Sequence, residues 1–362
     1  MTLKELENIR ISRPDRDIYE KAKKRFDLLA KPIDGLGNFE DLICRIAGIR
    51  NTLIPDISQK ALVIMCADNG VTEENISQSD KSVTFKVAEL LGQDLSTVCK
   101  MRGNYPLDII TVDVGIDSDE TPKGVIDKKV RKGTGNILKE PAMTAFECLK
   151  AIETGIEMMD SLSKKGYGIV ATGEMGIGNT TTSTALYCAL TGNDPKDIAG
   201  RGAGLSDEGL ERKICVIEKV LKKHKVDSND PFNALRILGG LDIAALTGLY
   251  IGGALNGIPV VSDGFISILA AFVASLICPG TEEYVIPSHL GREKGSGMIL
   301  KSMGLKAVID GDMALGEGTG AIMMLPLLDM AMNLYREGTF FDDTKIGSYV
   351  RFENDNVDNR KT

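Results

Sequence analysis

The chain has 362 residues, of which 43% are hydrophobic and 5% aromatic, with no tryptophan and a net charge of −8. That length suits one large domain, or a large domain with a small satellite. The charge and the scarcity of aromatic residues argue against binding nucleic acid, and neither the polar Met1–Arg10 stretch nor the interrupted run Ile266–Cys278 fits a secretion signal or a bilayer span.

In chain order, Asp17–Ala30 reads as a charged helix with an apolar stripe, broken by Lys31-Pro32 and resumed over Asn38–Ile49. Short, continuous apolar runs follow at Ala61–Cys66, Leu107–Val114, Gly168–Ala171, Pro259–Ser262 and Tyr284–Pro287. Runs without alternation predict strands buried on both faces of a parallel sheet. The amphipathic segments between them predict a doubly wound, Rossmann-like α/β domain. Residues 59–320 are assigned to this large domain, and 1–58 with 321–362 to a small helical domain built from both chain ends. The polar tail after Gly347 is expected to fray. The seven cysteines form no Cys-x-x-Cys pair, so they read as reduced, buried thiols of a cytoplasmic protein. With His224 and His289 as the two histidines, a histidine-based metal site or triad is hard to build, and no metal or cofactor is expected.

The predicted strands end in Ala67-Asp68-Asn69-Gly70, Asp113-Val114-Gly115, Thr172-Gly173-Glu174, Asp263-Gly264 and Ser288-His289. Small, acidic and hydroxyl residues thus gather at the carboxyl edge, where open parallel sheets bind ligands. Three glycine clusters stand out. Gly173–Thr182 follows a strand and opens a helix expected over Ser183–Leu190. Its glycines can turn backbone N–H groups toward an anion, with Asn179 and the threonines as caps. It lacks the Lys-Ser/Thr ending of a P-loop and the third glycine of a dinucleotide fingerprint, which removes a nicotinamide-cofactor oxidoreductase from consideration. Gly200–Leu205 precedes an amphipathic helix, Asp207–Lys222. There Lys213 is either a phosphate ligand or an ordinary solvated lysine. In Leu315–Gly320, Glu317 lies among three glycines before a helix that starts near Ala321. It is either a general base or a carboxylate complementing the helix dipole.

Taken in order, Leu29–Gly37, Ala67–Val71, Glu140–Thr144, Gly173–Thr181, Gly200–Leu205, Gly239–Ala245, Pro259–Phe265, Ser288–Leu290 and Leu315–Gly320 resemble the nicotinate-nucleotide:dimethylbenzimidazole phosphoribosyltransferases. The resemblance covers most of the chain. It implies transfer of the phosphoribosyl group of nicotinate mononucleotide to an aromatic lower-ligand base of a cobamide, by a dimer. It further implies that Glu317 is the catalytic base and Glu174 a second active-site carboxylate. Gly176, Ile177, Gly178, Asn179, Thr180, Gly202, Gly204 and Lys213 would hold the nucleotide phosphate, with Asp263 and Gly264 near the ribose. The acceptor pocket would include Asn69, Ser77, Lys86, Met175 and Leu315. Many family members carry histidine at 69, glutamine at 86, arginine at 314 and serine at 291. Their Gly-Gly-Phe-Glu segment is Gly239-Gly240-Leu241-Asp242 here. Lys86 beside an acceptor would favour a phenolate, so dimethylbenzimidazole, another benzimidazole, a purine and a phenol all stand as acceptors. The altered pocket also leaves open a partner-dependent subunit of a heterodimer.

Overall fold

The computed structural model describes residues 1–202 and 204–351. Ala203 of the second glycine cluster and residues 352–362 of the expected small domain lie outside the described residues.

Among the described residues, six parallel strands form the main sheet: β1 (Lys60–Ala67), β2 (Asp108–Gly115), β3 (Ile126–Asp127), β4 (Ile169–Met175), β5 (Val260–Ser262) and β6 (Val285–Pro287). Their order is β3-β2-β1-β4-β5-β6. The strand order reverses between β1 and β4, and an open sheet of this kind forms its ligand crevice at the carboxyl ends of those two strands. The β1–β4 register, with Met65 opposite Glu174 and Cys66 opposite Met175, carries both strands out to that edge. The five expected strands are present. The two-residue edge strand β3 and a separate parallel pair, β7 (His289–Gly291) and β8 (Ile309–Met313), were not anticipated. Ile309-Asp-Gly-Asp-Met313 is polar and largely exposed, so no apolar run marks it.

Two helices pack closely against each other, Ala145–Lys164 and Leu241–Asn256. Gly155 and Gly248 allow this approach. A Cβ on Gly155 would sit 2.0 Å from Ala245 O, and one on Gly248 1.9 Å from Ile152 O. Any larger residue would force the backbones apart.

The chain divides into a unit of Met1–Arg13 with Asp56–Met324 and a unit of Pro14–Pro55 with Leu325 onward. This corrects the expected boundary at the N-terminus. Leu6 is buried in the core cluster of the large unit, with Met1, Ile9 and Ile11 packed against it. In the small unit, Phe26 and Tyr335 lie 4.8 Å apart, and Arg25 donates to the carbonyls of Tyr335 and Arg336. Arg351 bridges Asp27 and Asp34. The helix Asn38–Ile49 has its expected bounds, whereas Arg16–Leu28 starts one residue early because Asp15 caps it.

Candidate active site

A cavity of about 290 Å³ opens at the carboxyl edge of β1 and β4, inside the large unit. Its lining includes Glu174, Met175, Gly176, Ile177, Gly178, Asn179, Thr180, Gly202, Asp263, Gly264, Ser77, Leu315 and Glu317, all anticipated as site residues.

Glu317 sits on a turn whose three residues are all left-handed, with φ of 87° at Gly316, 57° at Glu317 and 83° at Gly318. A glutamate rarely adopts that conformation, so neighbouring structure must hold it there. Asp263, at the end of β5, does so. Its Oδ2 accepts from Gly318 N at 3.1 Å, and its Oδ1 accepts from Gly320 N at 2.8 Å and Ala321 N at 3.1 Å. Asp263 therefore lines the cavity as expected, but much of its carboxylate is spent on capping the helix Thr319–Glu337. Gly173 at the end of β4 lets the turn close in, since a Cβ there would lie 2.9 Å from the Glu317 carbonyl carbon and oxygen. The Glu317 carboxylate is half-buried, and its Oε2 accepts from Val98 N at 3.4 Å, at the start of the short helix Thr97–Arg102. Burial pushes its pKa above the ordinary carboxylate value, while Val98 N–H and the Ser96 hydroxyl pull it back.

Asn179 is not a helix cap. The helix begins at Asn179 itself, after Gly178, and the amide Nδ2 donates instead to Glu174 Oε2 and, at 2.9 Å, to Asp242 Oδ2. Two acidic side chains are thus bridged by one amide. Burial, reinforced by the Asp242 carboxylate, raises the Glu174 pKa to about 8. Burial raises that of Asp242 to about 6. Burial thus favours the protonated form of Glu174.

Lys213 is not a solvated lysine. It is fully buried, and its Nζ donates to Thr180 Oγ1 at 2.8 Å and to Gly200 O at 3.0 Å. Burial lowers its pKa to about 8. It stands behind Thr180 and Gly202 rather than on the cavity wall, so its charge is felt through Thr180.

Three further expected site residues are not on the wall. Gly204 accepts from Gln78 Nε2, which ties the second glycine cluster to the segment after β1. Asn69 is buried, its Oδ1 accepting from Thr182 Oγ1 at 3.3 Å, which places it beneath the helix start rather than against an acceptor. Lys86 is exposed, because its helix, Ser82–Gly92, turns Val83 and Val87 to the cavity one turn apart. Val83 falls in the Ser77–Lys86 stretch expected to line the acceptor pocket and His289 at the expected carboxyl edge, whereas Val87, Ile76 and the Ser96–Val98 turn were missed. The i, i+4 spacing of Val83 and Val87 was a usable signal. The pairing of Ser96 and Val98 with a residue 219 positions away was not.

Comparisons with known proteins bear on the family and the fold. A family model described as "Phosphoribosyltransferase" matches residues 11–346. A protein of Acetivibrio thermocellus named nicotinate-nucleotide–dimethylbenzimidazole phosphoribosyltransferase is 42% identical over 92% of this chain and 95% of its own length. One of the same name from Ruminiclostridium cellulolyticum is 44% identical over 93% of this chain and 96% of its own. A crystal structure of CobT from Thermus thermophilus superposes with a TM-score of 0.86 at 32% identity, covering 91% of this chain and 99% of that one.

Proposed function

Because this chain belongs to the phosphoribosyltransferase family, we propose that it moves the phosphoribosyl group of nicotinate mononucleotide onto a benzimidazole-type base for the lower ligand of a cobamide. The observation that carries this reading is one cavity lined by the Glu317 carboxylate, the Glu174 carboxyl and the Gly176–Thr180 turn backed by Lys213.

The nucleotide phosphate fits the turn Gly176–Thr180 with Gly202, where backbone N–H groups and the start of the helix Asn179–Thr191 favour an anion and Lys213 supplies charge behind Thr180. The ring nitrogen of nicotinate in the donor is quaternary, so nicotinate leaves ribose C1′ with the bonding electron pair and without protonation. C1′ becomes oxocarbenium-like and the acceptor nitrogen attacks from the opposite face, giving an α-riboside phosphate. The acceptor's other N–H then loses its proton to Glu317. Val98 N–H anchors Oε2, which leaves Oε1 to take that proton. The raised pKa brings Glu317 closer to the neutrality at which a general base works best. Burial disfavours a second negative charge at Glu174 beside the base.

Ile76, Val83, Val87, Met175 and Leu315 give the acceptor a largely apolar wall, which supports a benzimidazole. The case for a phenolic acceptor rested on Lys86, which is turned to solvent. The partner-dependent subunit loses its motive too, since base and phosphate cradle meet within one chain. Dimerisation remains part of the proposal and is read by sedimentation. The deciding test is purified chain with nicotinate mononucleotide and dimethylbenzimidazole, adenine or phenol in competition, following nicotinate release and riboside phosphate. Preferred use of dimethylbenzimidazole with loss of turnover in Glu317→Gln is expected. Undiminished turnover in Glu317→Gln would overturn the reading.

A further inference from the structure

The cavity holds one titratable ring that the scheme above does not use, His289 on β7. Its surroundings fix where its proton resides. Ser288 Oγ lies 2.5 Å from Ser262 O and 3.0 Å from His289 Nδ1. A carbonyl oxygen can only accept, so the one hydroxyl proton of Ser288 is committed to Ser262 O. Ser288 Oγ must then accept from His289, which puts a proton on Nδ1. In the neutral ring this leaves Nε2 as a bare acceptor, since the bond made by one ring nitrogen sets the state of the other.

Nε2 faces the wall at Gly264, 3.7 Å from where a Cβ on that glycine would sit. The ring cannot swing away freely. It packs against Gly320, where a Cβ would meet Nδ1 at 1.9 Å and Cε1 at 2.2 Å. It is almost wholly enclosed, at 4% exposure. The other acceptor at this point of the cavity, Asp263, already receives three backbone N–H groups. A buried lone pair with a fixed direction is matched by a neutral donor, and a sugar hydroxyl is the donor that the proposed substrate offers there.

We propose that His289 Nε2 accepts a hydrogen bond from a ribose hydroxyl, at C2′ or C3′, of the donor nucleotide and so selects ribosyl over deoxyribosyl donors. This rests on the phosphoribosyl-transfer reading and deepens it. Ser288 acts as the positioning residue that fixes the tautomer.

The test compares nicotinate mononucleotide with its 2′-deoxy and 3′-deoxy analogues, using the whole chain and dimethylbenzimidazole. The wild type should discriminate against one analogue by ~10-fold or more in kcat/KM, since a site built to bond a hydroxyl rejects the ligand lacking it. His289→Phe keeps a flat ring on Gly320 but has no lone pair. There the discrimination against that analogue should fall to within ~2-fold, with the deoxy donor used about as well as by the wild type. Ser288→Ala should give intermediate discrimination, and it keeps the inference testable if the phenylalanine variant does not fold. No discrimination against either analogue in the wild type, or full discrimination against that analogue surviving in either variant, would overturn the role of His289 while leaving the transfer reaction intact. If the wild type makes no riboside phosphate from the full donor, the transfer reading falls and this inference with it.

Discussion

Lys213→Met reads the buried cation in two opposite directions. The ammonium is fully enclosed, and burial lowers its pKa from 10.5 to about 8. A lysine that binds its proton more weakly when folded penalises folding wherever the unfolded chain keeps that proton. The penalty is complete below about pH 8 and fades as the pH rises toward 10.5. The difference, 10.5 minus about 8, at ~1.4 kcal/mol per pH unit amounts to ~3 kcal/mol. Methionine fills similar space without the charge, but it strips a donor from Thr180 Oγ1 and Gly200 O, which costs ~1 kcal/mol. The ligand-free variant should therefore be ~2 kcal/mol more stable at pH 7 and should lose the gain in stability between pH 8 and 10.5. Donor binding should move the other way. Because Lys213 acts on the phosphate through Thr180, the loss should stay below the ~1.5 kcal/mol of a direct charge-assisted hydrogen bond, and KM for nicotinate mononucleotide should rise by up to roughly 10-fold. Urea denaturation across pH, without ligand, measures the first effect and steady-state kinetics the second. A variant less stable at neutral pH with unchanged donor KM would refute the assignment of a strained, phosphate-directed cation.

Glu317→Gln should lower kcat by ~10²–10⁴-fold with donor affinity nearly unchanged in a calorimetric titration. In the wild type, kcat/KM should fall as the pH drops through the raised pKa of Glu317, so the acid limb lies above 4.5, and the variant should lack that limb. Asp242→Asn should stabilise the protein. An acid whose folded pKa is raised from 3.8 to about 6 confers stability at low pH that is lost as the pH rises through that interval, so the gain, at most ~3 kcal/mol, should be seen above pH 6 and vanish below 4 in thermal melts. The asparagine keeps an acceptor for Asn179 and replaces Oδ1, which has no partner among the described residues. Gly173→Ala places a methyl 2.9 Å from the Glu317 carbonyl. Turnover should fall by ~10²-fold with little change in circular dichroism, because displacing a reacting group by about an ångström suffices for that. Retained turnover would show that the turn tolerates movement.

Much of the architecture was legible because it is written locally. Continuous apolar runs mark β1, β2, β4, β5 and β6, and Asn38–Ile49 is announced by its stripe and its glycine. β8 was hidden because a short pair outside the main sheet needs no apolar face. The glycine clusters located the cavity, but they did not tell whether a side chain faces it. Lys86 and Val87 are adjacent in sequence and part company only through the rotation of a helix that packs Ala88 inward. Lys213 looked solvated from its charged neighbours, yet the apolar stripe of Val216, Ile217 and Val220 continues through it. Asn179 looked like a cap because caps and buried amides share a residue type.

Glu317 could be picked out as the base, but the geometry that holds it was not legible, and the reason is topological. The left-handed backbone at Glu317 costs about 1 kcal/mol or more if unsupported, and its support comes from Gly173 in β4, Asp263 just after β5 and His289 in β7. Asp263 is itself a carboxyl disfavoured by burial, and it is tolerated because the N–H groups of the very turn it holds satisfy it. Each partner is expensive alone and cheap in company, so the arrangement exists only where the strand ends converge. That convergence is a property of the β1–β4 reversal in strand order, which no spacing along the chain expresses. It follows that the geometry of the base belongs to the sheet edge as a whole. Substitutions at 173, 263 and 320 should then act on turnover non-additively with those at 317, as residues sharing one network do.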